Sequence, residues 1–141
     1  MGRVAEGADD GLDRLVGNAE TVREVFDKVP ALLVAYEGPE HVVVAINEQL
    51  RSWLGRSGLV GLPGREAMPE FAGQAIFEMF DRVRVTGQPQ TARDWRVQVA
   101  QEQGDEMREA FIDFVVIPVP GVDDRPDRLV AYGLDVTDRV R

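Results

Sequence analysis

The chain has 141 residues, with 16 Lys and Arg against 25 Asp and Glu, a formal net charge of −9. That length makes one ordinary domain, and 44% apolar against 29% charged residues is globular composition. There is no Cys, one His (His41), one Lys (Lys28) and two Ser (Ser52 and Ser57). This excludes disulfides, thiolate nucleophiles, Cys-ligated zinc, iron–sulfur clusters and any site needing two imidazoles from one chain.

The acidic balance repels phosphate backbones and anionic headgroups, so neither nucleic acid nor a membrane surface is the expected partner. No apolar stretch approaches the roughly 20 residues of a membrane span, and residues 1–10 lack a basic-then-apolar signal pattern. A cytoplasmic location is the expectation.

In chain order, residues 1–10 are small, acidic and Gly-containing, an expected mobile start. Leu12, Leu15, Val16, Ala19, Val22, Phe26 and Val29 then recur at spacings of three and four, which predicts an amphipathic helix over 11–29. Pro30 ends it. Two short β-branched or apolar runs, 31–36 and 41–46, flank Glu37-Gly38-Pro39-Glu40 and read as a hairpin. Asn47 stands where a helix cap is wanted, ahead of Leu50, Trp53 and Leu54, with Gly55 as the stop. Only very short helices fit the Gly- and Pro-rich connection from Gly58 to Pro69.

A longer helix is predicted from about Ala72 to Val85, with Ala72, Ile76, Met79, Phe80 and Val83 as its apolar stripe and Gly87 and Pro89 beyond it. The remainder reads as strands: Trp95, Val97 and Val99 alternate with polar residues, then come 111–119 and 129–136, separated by polar turns. The 111–119 strand is apolar at both parities. Phe111, Val115 and Ile117 share one, Ile112, Phe114 and Val116 the other, which predicts a layer on each face. The central helices cover one face, leaving the N-terminal helix or a partner subunit for the other.

This order of elements, with its punctuation, resembles a PAS domain. The strand 41–46 runs into Asn47, then Leu50, Trp53, Leu54 and Gly55. Val60-Gly61-Leu62-Pro63 with Met68-Pro69-Glu70, and Thr86-Gly87-Gln88-Pro89, resemble the family's connecting segments. Phe114 to Pro118 resembles its penultimate strand, and Asp135-Val136-Thr137-Asp138-Arg139 its closing Asp-x-Thr signature. The likeness covers about residues 30–139. It implies an α+β fold: a five-stranded antiparallel sheet of order 2-1-5-4-3, helices on one face, and the N-terminal helix on or near the other. The domain is expected over 30–141. A closer likeness is to PAS modules that precede GAF and PP2C-type (SpoIIE-like) Ser/Thr phosphatase domains, or histidine kinase domains, in high-GC bacteria. Fifteen arginines against one lysine suit such a genome. The phosphatase's metal-binding aspartate motifs are not among these residues, so no enzyme activity is expected within them.

The resemblance also implies sites. Ile76 and Phe80 on the long helix are candidates to face Trp95, Val97, Ile112, Phe114 and Val116 across a ligand pocket, or these side chains simply fill the core. Asn47, Arg93 and Arg96 are the polar candidates for such a pocket. Asp135, Thr137 and Arg139 are the candidates for passing a signal to a C-terminal output domain, or for an ordinary strand end and helix cap. Leu12, Leu15, Ala19, Val22 and Phe26 are the candidate face of a homodimer. Some members of the family carry haem on a His of the long helix, and others a flavin that forms an adduct with Cys. Here the helix has no His and the chain no Cys, so no cofactor is expected beyond an unidentified small molecule. The glycines at 58, 61 and 64 lack the Lys-Ser/Thr of a P-loop, and the acidic runs 102–109 and 123–127 lack calcium-loop spacing, so no metal is expected. His41 with Ser52 or Ser57 lacks the context of a nucleophile elbow.

Overall fold

The structure is a computed structural model that describes residues 19–100, 107–121 and 127–140. Helix α1 (Ala19–Lys28) leads into β1 (Leu32–Glu37) and β2 (Val42–Ile46). Four helices follow: α2 (Glu48–Leu54), α3 (Gly64–Ala67), α4 (Pro69–Ala72) and α5 (Ile76–Thr86). Strands β3 (Gln90–Ala100), β4 (Met107–Val119) and β5 (Arg128–Asp135) complete one antiparallel sheet, and a single turn, α6 (Thr137–Val140), closes the chain. The sheet order is β2-β1-β5-β4-β3, as the resemblance implies.

Local chemistry sets the boundaries. The Asn47 side chain accepts from the Leu50 amide at the start of α2, and Gly55 ends that helix at φ 70°, a left-handed conformation that costs glycine little. The long helix starts later than its apolar stripe predicts, at Ile76 rather than near Ala72. Ala75 takes φ 65°, which breaks the helical run. The Gln74 side chain meanwhile reaches the carbonyls of Glu70 and Gln98 and accepts from the Gln98 amide, pinning this corner to β3. Strand β3 carries a bulge between Ala92 and Trp95, where Asp94 takes φ 51°. The alternation of Trp95, Val97 and Val99 continues beyond the bulge and so conceals it.

The core lies on one face of the sheet. Leu32, Val34 and Tyr36 of β1, Ala110, Ile112, Phe114 and Val116 of β4, and Val97 and Val99 of β3 pack beneath Leu50, Leu54, Phe71, Phe77 and Phe80 of the helices. The opposite parity of β4 behaves differently from the two-layer expectation. Phe111 and Val115 are half-buried, while Ile117, Val119, Tyr132 and Leu134 are each 41–44% exposed. Among the described residues this face is therefore partly open, and the apolar residues of both parities do not mark two covered faces. The predicted N-terminal helix is described only as α1, so Leu12 and Leu15 lie outside the described residues. Within α1 Phe26 is half-buried, and α1 packs beside α2, with Arg51 reaching Asp27 at 3.4 Å and Asn47 donating to the Val29 carbonyl at 3.3 Å.

Candidate functional site

A cavity of about 70 Å³ lies between the inner face of the sheet and helices α2, α4 and α5. One stretch of its wall is bare backbone: Gly133 of β5 pairs with Leu32 of β1 and Phe114 of β4, where an added Cβ would lie 3.3 Å from Phe114 Cβ and from the Asp113 carbonyl oxygen. Around the cavity stand Leu32, Val34 and Tyr36, Leu50 and Trp53 of α2, Met68 and Phe71, Ile76 and Phe80 of α5, and Ile112 and Phe114.

Of the pocket candidates, Ile76, Phe80, Ile112 and Phe114 line this space. Trp95 packs against the edge of Phe114, with ring centroids 5.8 Å apart, while Val97 and Val116 are wholly buried elsewhere in the core. The three polar candidates are not among the lining residues. Asn47 is buried and occupied with backbone groups, Arg96 pairs with Glu109, and Arg93 is exposed. Pocket residues that sequence reasoning missed include Trp53, Tyr36 and Met68. Trp53 follows Leu50 by three positions, which signalled a buried helix face without saying what that face encloses. His41, placed by the sequence at the start of the strand 41–46, lies in the turn just before β2 and is buried among Tyr36, Phe77 and Phe80.

Polar chemistry in the cavity is sparse. The Tyr36 hydroxyl, on a residue only 2% exposed, donates to the Met68 sulfur at 3.6 Å. Burial pushes its pKa far above the ordinary tyrosine value, so it stays a donor. The other polar side chains of the lining are Tyr132, which is 41% exposed, and Trp53, whose Nε1–H donates to Asp135 Oδ2 at 2.8 Å.

That bond joins the cavity to the closing motif. Asp135 is the last residue of β5, and its Oδ1 accepts from the Thr137 amide at 2.9 Å and from the Thr137 hydroxyl. The Thr137 oxygen in turn accepts from the Phe111 amide of β4 at 3.0 Å. Burial raises the Asp135 pKa, but the two Thr137 donors, the Trp53 N–H and the nearby Arg108 charge together hold it below the ordinary carboxylate range. Arg108 also stacks over the Trp53 ring, 4.9 Å from its centroid, and donates to the Trp53 carbonyl at 2.8 Å. Arg139 reaches away from Asp135, to Asp94 in the β3 bulge and to Asp113 of β4. The Asp94 amide, donating to Asp113 Oδ1 at 2.8 Å, and the Arg139 charge lower the Asp113 pKa. Asp135, Thr137 and Arg139 are thus brought together at one end of the sheet, tied to α2, β3 and β4. Among the described residues no group of three His, Asp or Glu side chains converges as a metal site, and no helix is long and apolar enough to cross a membrane.

Comparison with known proteins gives the same architecture. A family model described as the PAS fold matches residues 26–141. Among solved structures, the chain is similar to an RNA-binding light-oxygen-voltage receptor, with TM-score 0.65 and 17% identity. It covers 86% of this chain but only 34% of that one, so the chain spans about a third of the receptor's length. A PAS domain from Colwellia psychrerythraea matches with TM-score 0.62 and 17% identity over 86% of this chain and 98% of its own. The PAS domain of nitrogen regulation protein NR(II) from Vibrio parahaemolyticus matches with TM-score 0.58 and 12% identity, over 81% and 96%. At such identities the likeness is one of fold.

Proposed function

The chain belongs to the PAS fold family, a family of sensory and signalling modules, and we propose that its cavity receives a small molecule whose presence is passed through Trp53 to the closing motif. The single observation that supports this reading is the double role of Trp53, whose ring lines the cavity and whose N–H holds Asp135. A ligand that moves the indole changes the hydrogen bonding of the carboxylate that caps α6. Thr137 and Arg139 extend the same network to β3 and β4. The proposal includes an output domain of the PP2C (SpoIIE-like) phosphatase type, or a histidine kinase, in the parent protein, and a cytoplasmic location. Its support is the likeness of the Pro30–Arg139 motifs to modules that precede such domains.

Thermal shift against a panel of small molecules, followed by amide hydrogen exchange, tests the transfer. A molecule that raises the melting temperature should alter exchange at residues 137–140 in the native chain and much less in Trp53→Phe. A ligand that stabilises the domain and leaves those amides unchanged would sever the link.

A second reading, a dimerisation domain without a ligand, draws on the open sheet face. Ile117, Val119, Tyr132 and Leu134 form an exposed apolar row there, suited to a second copy and continuing the role expected of Leu12, Leu15, Ala19, Val22 and Phe26. Sedimentation of the native chain and of Ile117→Lys tests it. A monomer at high micromolar concentration would end this reading.

A further inference from the structure

The cavity carries one hydrogen-bond donor whose present partner is a poor one, and this narrows the chemistry of any occupant. Tyr36 is 2% exposed, and its hydroxyl donates to a thioether, a weak acceptor. Both Tyr36 and Met68 are walls of the same cavity. An oxygen acceptor offered from inside would replace the long sulfur contact with an ordinary hydrogen bond and leave the flexible Met68 side chain free to repack. The remaining lining is aliphatic or aromatic, with the Trp53 N–H held by Asp135 and Tyr132 itself 41% exposed, and no Lys, Arg, His, Asp or Glu is among it. A carboxylate or ammonium group placed there would meet no counter-charge in the lining, which disfavours it.

Size sets the second limit. A cavity of about 70 Å³ has room for more than one water, but it is smaller than the ~150 Å³ apolar cavity known to hold benzene. By that scale it takes about three non-hydrogen atoms before the walls must move. Met68, Leu50 and Ile76 are the walls that can give. From this lining we infer that the cavity selects a small uncharged molecule with an apolar body and a single oxygen acceptor, such as a short ketone, aldehyde or ether, seated on the Tyr36 hydroxyl. The inference rests on the reading of the cavity as a ligand site and adds the class of ligand.

The experiment uses three probes on the chain labelled at its methionine methyl groups, with the Met68 resonance and Trp fluorescence as readouts. Xenon reports whether the cavity admits a guest at all, 2-butanone supplies the acceptor, and butyrate supplies similar bulk with a charge. The native chain should bind xenon and 2-butanone and ignore butyrate. Tyr36→Phe, checked for an unchanged fold by its methyl spectrum, should keep xenon binding and lose about tenfold in 2-butanone affinity, the effect of one hydrogen bond. Equal 2-butanone affinity in the two proteins, or butyrate binding that shifts Met68, overturns the ligand class while the cavity reading survives. If neither xenon nor 2-butanone perturbs Met68, the cavity reading itself falls, and this inference with it.

Discussion

His41 Nε2 lies 2.7 Å from Asp81 Oδ1, so the turn before β2 is tied to the middle of α5 through a buried imidazole. The ring is packed among Tyr36, Phe77 and Phe80, and among the described residues its Nδ1 has no hydrogen-bond partner. Asp81 is itself half exposed, with Arg65 4.0 Å from its second oxygen. The pair therefore positions a helix that also carries two cavity walls, Ile76 and Phe80.

Asp81→Ala should leave both ring nitrogens of a buried His without a side-chain partner. We expect a loss of about 1–3 kcal/mol in urea unfolding, the usual cost of stranding a buried polar group. His41→Phe in the same background should recover part of that loss, because the polar atoms then leave the interior. A double variant no more stable than Asp81→Ala would show that the pair contributes only its packing.

Asn47 is the most fully used polar side chain in the described fold. Its oxygen accepts from the Leu50 and Leu33 amides, and its nitrogen donates to the Ala31 and Val29 carbonyls. Asn47→Ala removes a helix cap worth about 1 kcal/mol and also strands the Leu33 amide of β1 and the Val29 and Ala31 carbonyls just before it, for a total of about 2–4 kcal/mol. Asn47→Asp keeps the acceptor, loses the donors and buries a charge facing two carbonyls. Its unfolding midpoint should fall at least as far as that of the alanine variant at neutral pH.

Gly64 is needed for its lack of a side chain. A Cβ there would lie 2.6 Å from the Phe77 ring and 3.1 Å from the His41 carbonyl oxygen. Phe77 is wholly buried and cannot move aside cheaply. Gly64→Ala should therefore destabilise by about 1–3 kcal/mol despite the better helix propensity of alanine. An equal or higher melting temperature would mean that the α3 corner can shift without cost.

Acid should weaken the closing motif in a defined direction. The Asp94 amide with Arg139 lowers the Asp113 pKa, and Thr137 with Trp53 outweighs burial to lower that of Asp135. A carboxylate whose folded pKa lies below its unfolded value, about 3.9 for Asp, stabilises the fold above that value. The contribution is lost as pH falls through the folded value. Stability from this motif should be level between about pH 7 and 5 and decline below about pH 4. Asp135→Asn should be less stable than the native chain at pH 7, and the gap should close towards pH 2.5. A gap independent of pH in chemical denaturation would show that the charge of Asp135 contributes nothing.

Much of the fold was legible because its signals are local. Asn47 ahead of Leu50 and Trp53, Gly55 and Gly87 as left-handed helix ends, the alternation of Trp95, Val97 and Val99, and the apolar runs 111–119 and 129–136 each follow from neighbours in the chain. The start of α5 was not legible, since Gln74 leaves the helical register to bond with Gln98, a strand later. Nor was the covering of β4. Periodicity reports which side chains are apolar, whereas exposure of Ile117 and Val119 depends on what else reaches that face.

The composition of the chain, acidic with one His and no Cys, determined by itself which chemistries it cannot carry, because residues that are absent cannot be supplied by folding. Local spacing likewise determined the order and kind of most elements. Only the tertiary structure decided where space remains inside. The register sets Gly133 on the cavity wall beside Leu32 and Phe114, which requires β1 to pair with β5, about 100 residues later in the chain. It also decided that Trp53, 82 residues from Asp135, is the side chain that meets it. No local pattern encodes such a contact, since its cause is the packing of α2 on β1, the strand that lies beside β5 in the sheet.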